Sequence, residues 1–448
     1  MISYFNPEIE TMDRDDIDAI VEERIQYTIK YAYENVPFYS RWFREHKIKP
    51  SDIRSHEDLR ELPIINGGTV RENQPPETER FEFKATSWEN IFTIHETSGT
   101  SGRPKSFFLT WGDWQRYAEK YARAFVSQGF DAGDRVVICA SYGMNIGANT
   151  MTLAAHKIGM TIIPEGKCTF PVRIIENYKP TSIVASIFKL LRLARRMEDH
   201  GIDPKEPSIE RLVGGESFAP EAREYIEEIW DVEVFNTYGS TEGTMCGECI
   251  ERDGLHVPED LVHLDVYDPH LKDFVDDGEC GRIVLTTLLP VGEKTGILLL
   301  NYDTEDTTVV ISRDKCKCGR THMRIMSPER ESETVWVAGH PFNKVDVEAA
   351  VFQRENMEYL TGEYEAFLYG NEDEGPVTMQ VSLECRKVEE FDRELIKENF
   401  LRKFFKEKKR TLPHVLDGTF EILFNFKRPG ELEFYKIRGR PKRIVDRR

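Results

Sequence analysis

The chain has 448 residues, of which 40% are apolar and 31% charged, with a formal net charge of −19. That length exceeds one ordinary hydrophobic core, so two or three domains are expected, with the composition of a soluble globular protein. The acidic balance argues against a general nucleic-acid binder, because a phosphate backbone would repel it.

No stretch is long and apolar enough to cross a bilayer, so no membrane partner is expected. The opening MISYFNPEIETMDRDD is acidic and lacks the basic-then-apolar order of a signal peptide. The expected compartment is therefore cytoplasmic, where the eight cysteines stay reduced and clustered ones point to metal.

Along the chain, RDDIDAIVEERIQYTIKYAYENVPFYSRWFREH has apolar residues at helical spacing, interrupted by Pro37. A polar stretch read as extended follows, to about Asn90. From RVVICAS (135–141), short β-branched runs alternate with helical patterns through MTIIP, SIVASIFKLLRLARRMEDHG, RLVGGES, PEAREYIEEIW and EVFNTYGS. That alternation predicts an α/β domain with a largely parallel sheet and ligands beyond the carboxyl ends of its strands. CGRIVLTTLLPVGEKTGILLLNYDTEDTTVVISRD reads as antiparallel strands, and 327–333 marks a change of character. TMQVSLECR, DRELIKENFLRKFFKEKKR and TFEILFNFK then read as strand, helix and strand of a small α+β unit, with NEDEGP (371–376) as a hairpin tip.

The loop TSGTSGRPK (97–105) lies between apolar segments. Backbone N–H groups in a Gly-rich turn converge on phosphate oxygens, and hydroxyls and a lysine add donors. On composition alone it suits a polyphosphate cradle and a solvent-exposed hairpin equally, and it lacks the order of a nucleotide P-loop.

The wording of this loop resembles the phosphate loop of the adenylate-forming superfamily: acyl-CoA synthetases, luciferases and peptide-synthetase adenylation domains. Further motifs follow in that family's order. YGSTEG (238–243) resembles its aromatic-Gly-x-Thr-Glu motif, and VGGES (213–217) the strand end beside the adenine. NYDTEDTT (301–308) resembles the ribose-binding segment, and Glu329–Arg330 falls at the hinge. YAYENVPFYSRWFREHKIKPSDIRSHEDLRELP (31–63) and CKCGRTHMRI (316–325) are similar to segments of the phenylacetate–CoA ligase group, and the likeness runs from about residue 10 to the C-terminus.

The resemblance implies an α/β fold: a large N-terminal adenylating domain (1–329) with mixed and parallel sheets, and a small mobile α+β C-terminal lid (330–448). It implies ATP-dependent activation of a carboxylic acid, aryl or small, to acyl-AMP, and then thioester formation with coenzyme A. Ser98, Gly99, Thr100, Ser101, Gly102 and Lys105 would hold phosphates, with Gly215, Glu216, Gly239 and Ser240 around the nucleotide. Tyr238 would stack on adenine, Thr241 contact phosphate, Glu242 hold Mg²⁺, Asp306 bind the ribose and Arg330 touch ribose or phosphate. This suits the chemistry, since a carboxylate meets a polyphosphate and the site must neutralise charge.

Three segments depart from the family. Its adenylating lysine, in a Gly-Lys-x-x-Arg-like tail, aligns with Arg440 of GRPKRIVD; Lys436 or Lys442 are the alternatives. Arginine keeps the charge with a different geometry. Asp303 and Glu305 stand where the subgroup often has basic residues, and ERESETVWVAG replaces the usual hinge sequence. These departures leave three readings open. The acyl group goes to coenzyme A, it goes to an amine or a carrier-protein thiol, or the chain is a nucleotide-binding homologue without ligase activity. The resembled group often dimerises, which leaves a homodimer possible.

Cys-x-x-Cys and Cys-x-Cys spacing, at Cys246/Cys249 and Cys316/Cys318 with His256 between, favours Zn²⁺ over reduced core cysteines with His256 on a surface loop, and the comparable pattern of the resembled group implies a structural site on Cys249, His256, Cys316 and Cys318, with Cys246 as an alternative ligand. Cys139, Cys168 and Cys385 are expected in cores. By resemblance, ASYGMNIGANTM (140–151) occupies the position of the acyl pocket, so Tyr142, Gly143 and Gly214 are candidate substrate contacts, while His95 could touch nucleotide or cap a strand.

Overall fold

The computed structural model describes residues 2–97, 102–166, 171–370, 375–386, 392–437 and 440–448. It divides into two compact units. The first is Met1–Ala185, Ser208–Glu216 and Phe235–Glu329; the second is Ser186–Pro207, Ser217–Val234 and Arg330–Arg448. Among the described residues no helix is long and apolar enough to cross a membrane.

The first unit opens with the helix Arg14–Asn35, whose buried Ile17, Val21, Ile25 and Ile29 recur every four residues and form one apolar stripe. It stops because Val36 precedes a proline and is extended, with φ −104° and ψ 111°; Pro37 then starts the helix Pro37–Glu45. The stretch read as extended to Asn90 instead carries two short helices. Ser55 and Asp58 form a capping box on His56–Arg60, and Asn66 and Thr69 form one on Gly67–Glu72. Local caps nucleate turns that apolar periodicity cannot reveal in so polar a segment.

Among the described residues a sheet of 14 strands forms the scaffold. Thr161–Ile163, Arg135–Ile138, Ser182–Val184 and Arg211–Gly214 lie side by side and parallel, as the strand–helix alternation predicted. Val136, Val137, Ile138, Ile183 and Val184 are buried, as in a sheet covered on both faces. Beyond Glu233–Gly239 the sheet turns antiparallel through Met245–Glu248, Leu255–His256, Arg324–Ile325, Tyr302–Ser312, Cys280–Thr287 and Val262–Asp268.

The helix Trp111–Ser127 runs through the core of this unit, buried on nearly every face. It begins at a capping box in which Thr110 accepts from the Asp113 N–H and Asp113 accepts from the Thr110 N–H.

The second unit carries a four-stranded sheet in the order Phe420–Lys427, Val377–Cys385, Leu360–Tyr369, Ile444–Asp446. Its long helix Arg393–Glu407 sits where DRELIKENFLRKFFKE predicted one. The helices Ile187–Asp199 and Pro220–Trp230 belong to this unit. Glu348, fully buried, accepts from the Ala219 N–H at 3.2 Å, which ties the second of these helices to Lys344–Val351. The architecture is mixed α/β with parallel and antiparallel strands and a second, smaller sheet.

Candidate functional site

Thr93–Glu96 and Ser106–Leu109 pair antiparallel, with Glu96 opposite Ser106, and carry the polar loop at their tip. Ser98, Gly99, Thr100 and Ser101 lie outside the described residues. The base of the loop is closed by Thr97: its N–H donates to the Lys105 carbonyl and its hydroxyl accepts from the Lys105 N–H, both at 3.1 Å. Gly102 has φ +140°, and a Cβ there would lie 3.5 Å from Arg71 Nε.

Lys105 points inward. Its ammonium donates to Glu242 Oε1 at 2.7 Å and to Tyr302 Oη at 2.5 Å, with both side chains of the ion pair nearly buried. Burial alone would lower the Lys105 pKa, but Glu242 and Tyr302 outweigh it and raise it. Burial, then Glu242, pushes the Tyr302 phenol up, so it stays protonated. Tyr302 lies in the NYDTEDTT segment, but nothing local marks a tyrosine as the partner of a lysine 197 positions away.

Glu242 sits on the turn between Glu233–Gly239 and Met245–Glu248, whose register puts Tyr238 opposite Cys246 and Gly239 opposite Met245. The Ser240 N–H donates to the Thr244 carbonyl at 2.8 Å and closes the turn. Among the described residues the buried Ser240 hydroxyl has no hydrogen-bond partner, an acceptor-seeking group in the motif expected to meet nucleotide.

Tyr238 donates to Asp306 Oδ2 at 2.6 Å, so the residues assigned by resemblance to adenine and ribose touch each other. Burial, then the Asp306 charge, raises the Tyr238 phenol well above its ordinary value. The Thr237 hydroxyl donates to the Gly214 carbonyl at 3.1 Å and locks the Gly214–Gly215–Glu216 strand end beside Tyr238. Gly215 faces open space.

Tyr142 is half-buried, its hydroxyl 3.0 Å from Thr152 Oγ1, and Gly143 faces open space. The segment is fastened to the strand under the phosphate loop, because the Met144 carbonyl meets both the Glu96 N–H and His95 Nδ1 at 3.1 Å. His95 therefore anchors the segment next to Tyr142. Burial lowers its pKa, which favours the neutral ring.

Asp303, acidic where the resembled group is basic, pairs with Arg282 on the neighbouring strand at 3.0 Å. The substitution is thus neutralised within the sheet.

Arg330, Lys436 and Arg440 belong to the second unit, where Arg330 is exposed. Lys436–Ile437 and Arg440–Pro441 form a two-stranded hairpin, and the side chains of Lys436 and Arg440 lie outside the described set. Lys442, the other basic alternative, donates to the Ser332 carbonyl at 2.8 Å.

Apart from this site, the ligand atoms of Cys249, His256, Cys316 and Cys318 all lie within 4.8 Å of one another. Zn–S bonds of about 2.3 Å and a Zn–N bond of about 2.0 Å give tetrahedral edges of about 3.8 Å between sulfurs and about 3.5 Å from sulfur to nitrogen. The Cys249–Cys316 sulfurs are 3.8 Å apart, and Cys318 Sγ is 3.6 Å from His256 Nε2. The donor set therefore fits a closed, four-ligand metal shell. Contact between the two thiols lowers Cys318, with His256 adding to it, and raises Cys249, so the pair shares one proton that a bound metal would displace. Cys246 is not in the cluster and packs in the apolar core.

The family pattern described as AMP-binding enzyme matches residues 16–287. The phenylacetate-coenzyme A ligase of Thermus thermophilus is 32% identical over 328 residues, covering 72% of this chain and 72% of that protein. The phenylacetate-coenzyme A ligase of Pseudomonas putida is 28% identical over 403 residues, covering 87% and 88%. Among solved structures, 2-hydroxyisobutyryl-CoA ligase in the postadenylation state with 2-HIB-AMP superposes with a TM-score of 0.81 at 22% identity, covering 99% of this chain and 92% of that one. At that identity the superposition shows the fold alone.

Proposed function

The chain belongs to the AMP-binding enzyme family, as an AMP-forming acid–coenzyme A ligase of the phenylacetate–coenzyme A ligase group, and from that premise we propose how its side chains divide the reaction. In the first half-reaction an oxygen of the carboxylate substrate attacks the α-phosphorus of ATP. The bond to the bridging oxygen breaks, and pyrophosphate leaves with the electron pair. In the second, the thiol sulfur of coenzyme A attacks the acyl carbon, loses its proton and displaces AMP.

The observation that carries this assignment is the meeting of Lys105 with Glu242. It puts the cation at the base of the phosphate loop against the acid of the Tyr-Gly-Ser-Thr-Glu-Gly turn, where one serves departing phosphate and the other a divalent cation. Magnesium, when bound with ATP, neutralises phosphate charge and takes one or two carboxylates, here Glu242. Lys105 and the loop donors Ser98 to Gly102 hold the β- and γ-phosphates, and Thr241 contacts phosphate. Tyr238 stacks on adenine between Gly215, Glu216, Gly239 and Ser240. Asp306 accepts from the ribose hydroxyls. Arg330 and Arg440 supply positive charge from the second unit, Arg440 in the role usually held by lysine, with Lys436 beside it in sequence. Gly143 leaves room for an acyl group whose flat face Tyr142 meets, with Gly214 as a further contact, which suits an aryl or small acid. A structural Zn²⁺ occupies Cys249, His256, Cys316 and Cys318.

The test is acid-dependent ATP–pyrophosphate exchange across aryl and short aliphatic acids, with thioester detected by mass after coenzyme A is added. Exchange with one class of acid, lost in Glu242→Gln and Arg440→Ala, supports the assignment. Exchange that survives Glu242→Gln removes the carboxylate from the metal role. Acyl-AMP that forms but never passes to coenzyme A redirects the second half-reaction to another acceptor.

A further inference from the structure

Three glycines of the Tyr238 hairpin face the helix Trp111–Ser127. A Cβ at Gly239 would stand 2.7 Å from Tyr121 Oη, one at Gly243 would stand 3.2 Å from Tyr117 Oη, and one at Gly247 would stand 2.5 Å from Ala124 Cβ. Positions 117, 121 and 124 share one helix face at spacings of four and three, so at these three glycines the hairpin backbone lies close against that face, with Met245 Sδ beside Gly239.

Lys120 projects from the same side of the helix. It is 6% exposed, and its ammonium donates to the Gly243 carbonyl at 2.7 Å. The Tyr117 hydroxyl reaches the Thr241 carbonyl at 3.4 Å. The carbonyls of the residues before and after Glu242 are thereby held by this one helix, and Lys120, Tyr117 and Glu242 line a common cavity. The helix itself starts at Thr110, directly after the Ser106–Leu109 strand of the phosphate-loop hairpin. Asp260, the carboxylate that acts most on Lys120, is already bound by Arg123. A buried ammonium on a neutral carbonyl is costly, and packing alone would be served better by methionine.

We propose that Lys120 is a positioning residue for the metal-binding turn: through the Gly243 carbonyl, with Tyr117 on the Thr241 carbonyl, it holds Glu242 in the orientation that receives the divalent cation accompanying ATP. The proposal rests on Glu242 as that cation's ligand.

Lys120→Met keeps the apolar stem and removes the donor. The probe is Mn²⁺ titrated into protein and ATP, followed by loss of the free-ion EPR signal. Half-saturation is expected to rise about tenfold in Lys120→Met, the size usual when a ligand loses its supporting contact. The Mg²⁺ requirement of pyrophosphate exchange should move in parallel, KM for the acid should stay near wild type, and Lys120→Arg should restore part of the loss. In a Glu242→Gln background Lys120→Met should add nothing. Wild-type Mn²⁺ binding by Lys120→Met beside a defective Glu242→Gln overturns the Lys120 role alone. Wild-type Mn²⁺ binding by Glu242→Gln overturns the assignment underneath it. If Lys120→Met does not fold, Tyr117→Phe carries the same titration, and an unmoved half-saturation there counts against the proposal.

Discussion

Lys105 Nζ and Glu242 Oε1 are 2.7 Å apart although 137 positions separate them in the chain. Tyr302 adds a third segment on the same ammonium. Each charge is the other's counter-ion in a nearly dry place. A polyphosphate and a dication arriving together can take over both roles, so substrate binding exchanges ion pairs and uncovers no bare charge.

From this pairing, Lys105→Met and Glu242→Gln should each lower the melting temperature, since each leaves one partner without its counter-charge. The double variant should be more stable than the sum of the single losses predicts, by about 0.5–3 kcal/mol of coupling. Exchange activity should be lost in all three. A thermal-unfolding cycle measures the coupling, and strictly additive losses would show that the contact carries no energy.

The Tyr238–Asp306 bond predicts a different pattern. Tyr238→Phe keeps the ring for stacking but frees Asp306 to rotate, so kcat/KM for ATP should fall about tenfold, equal to about 1.4 kcal/mol, with kcat changed less. Asp306→Ala should cost more, because the ribose loses its acceptor. Equal losses in the two variants would mean that the hydroxyl meets substrate directly.

Much of this site was legible where local pattern decides. The β-branched runs ending in Gly214 and Gly239 marked strands whose carboxyl ends carry the motifs that the resemblance assigns to nucleotide. Cys-x-Cys spacing with His256 marked a cluster whose four ligand atoms the fold brings within 4.8 Å. Cys246 illustrates the limit: it lies three residues before Cys249, but it sits in the strand Met245–Glu248, faces the apolar core and stays apart from the cluster. Tyr302, Lys120 and the Asp303–Arg282 pair were invisible because their meaning lies in partners on other strands and helices. The helices at His56–Arg60 and Gly67–Glu72 were missed because capping boxes, not periodicity, nucleate them.

The cysteine cluster also organises the N-terminus. Tyr4 donates to the Cys318 carbonyl at 2.8 Å, and Arg320, which reaches Cys318 Sγ at 3.6 Å, pairs with the buried Glu10 at 2.7 Å. The Thr321 N–H donates to the Glu10 carbonyl, and His322 Nε2 meets the Ile9 carbonyl, both at 3.1 Å. Residues 3–12 are therefore strapped to the loop that carries two of the four ligands. Purified protein should hold one zinc per chain by elemental analysis. Chelation should expose residues 3–12 to protease and hydrogen exchange before the rest of the first unit. Protein without zinc, or an unchanged strap after chelation, would break the link between metal and N-terminus.

Lys120 gives the pH prediction. Burial first, then the positive charge of Arg116, lowers its pKa from 10.5 to about 7; Asp260 and Cys246 act in the opposite direction, and Arg123 lowers it further. In the unfolded chain the lysine binds its proton up to its ordinary value, so between pH about 7 and 10.5 the unfolded state holds more protons than the folded one. Stability should therefore rise with pH across that window, by at most about 1.4 kcal/mol per pH unit from this group. Below pH about 7 both states are protonated and the full burial penalty is present. Lys120→Met removes the penalty, so it should raise the melting temperature most at pH 6–7, by roughly 1–2 °C for each kcal/mol recovered, and it should lose the upward slope toward pH 10. A parallel slope in wild type and variant would mean that the ammonium keeps its ordinary pKa. A variant that is stabilised and yet weak in Mn²⁺ binding separates the turn-holding role of Lys120 from any contribution to packing.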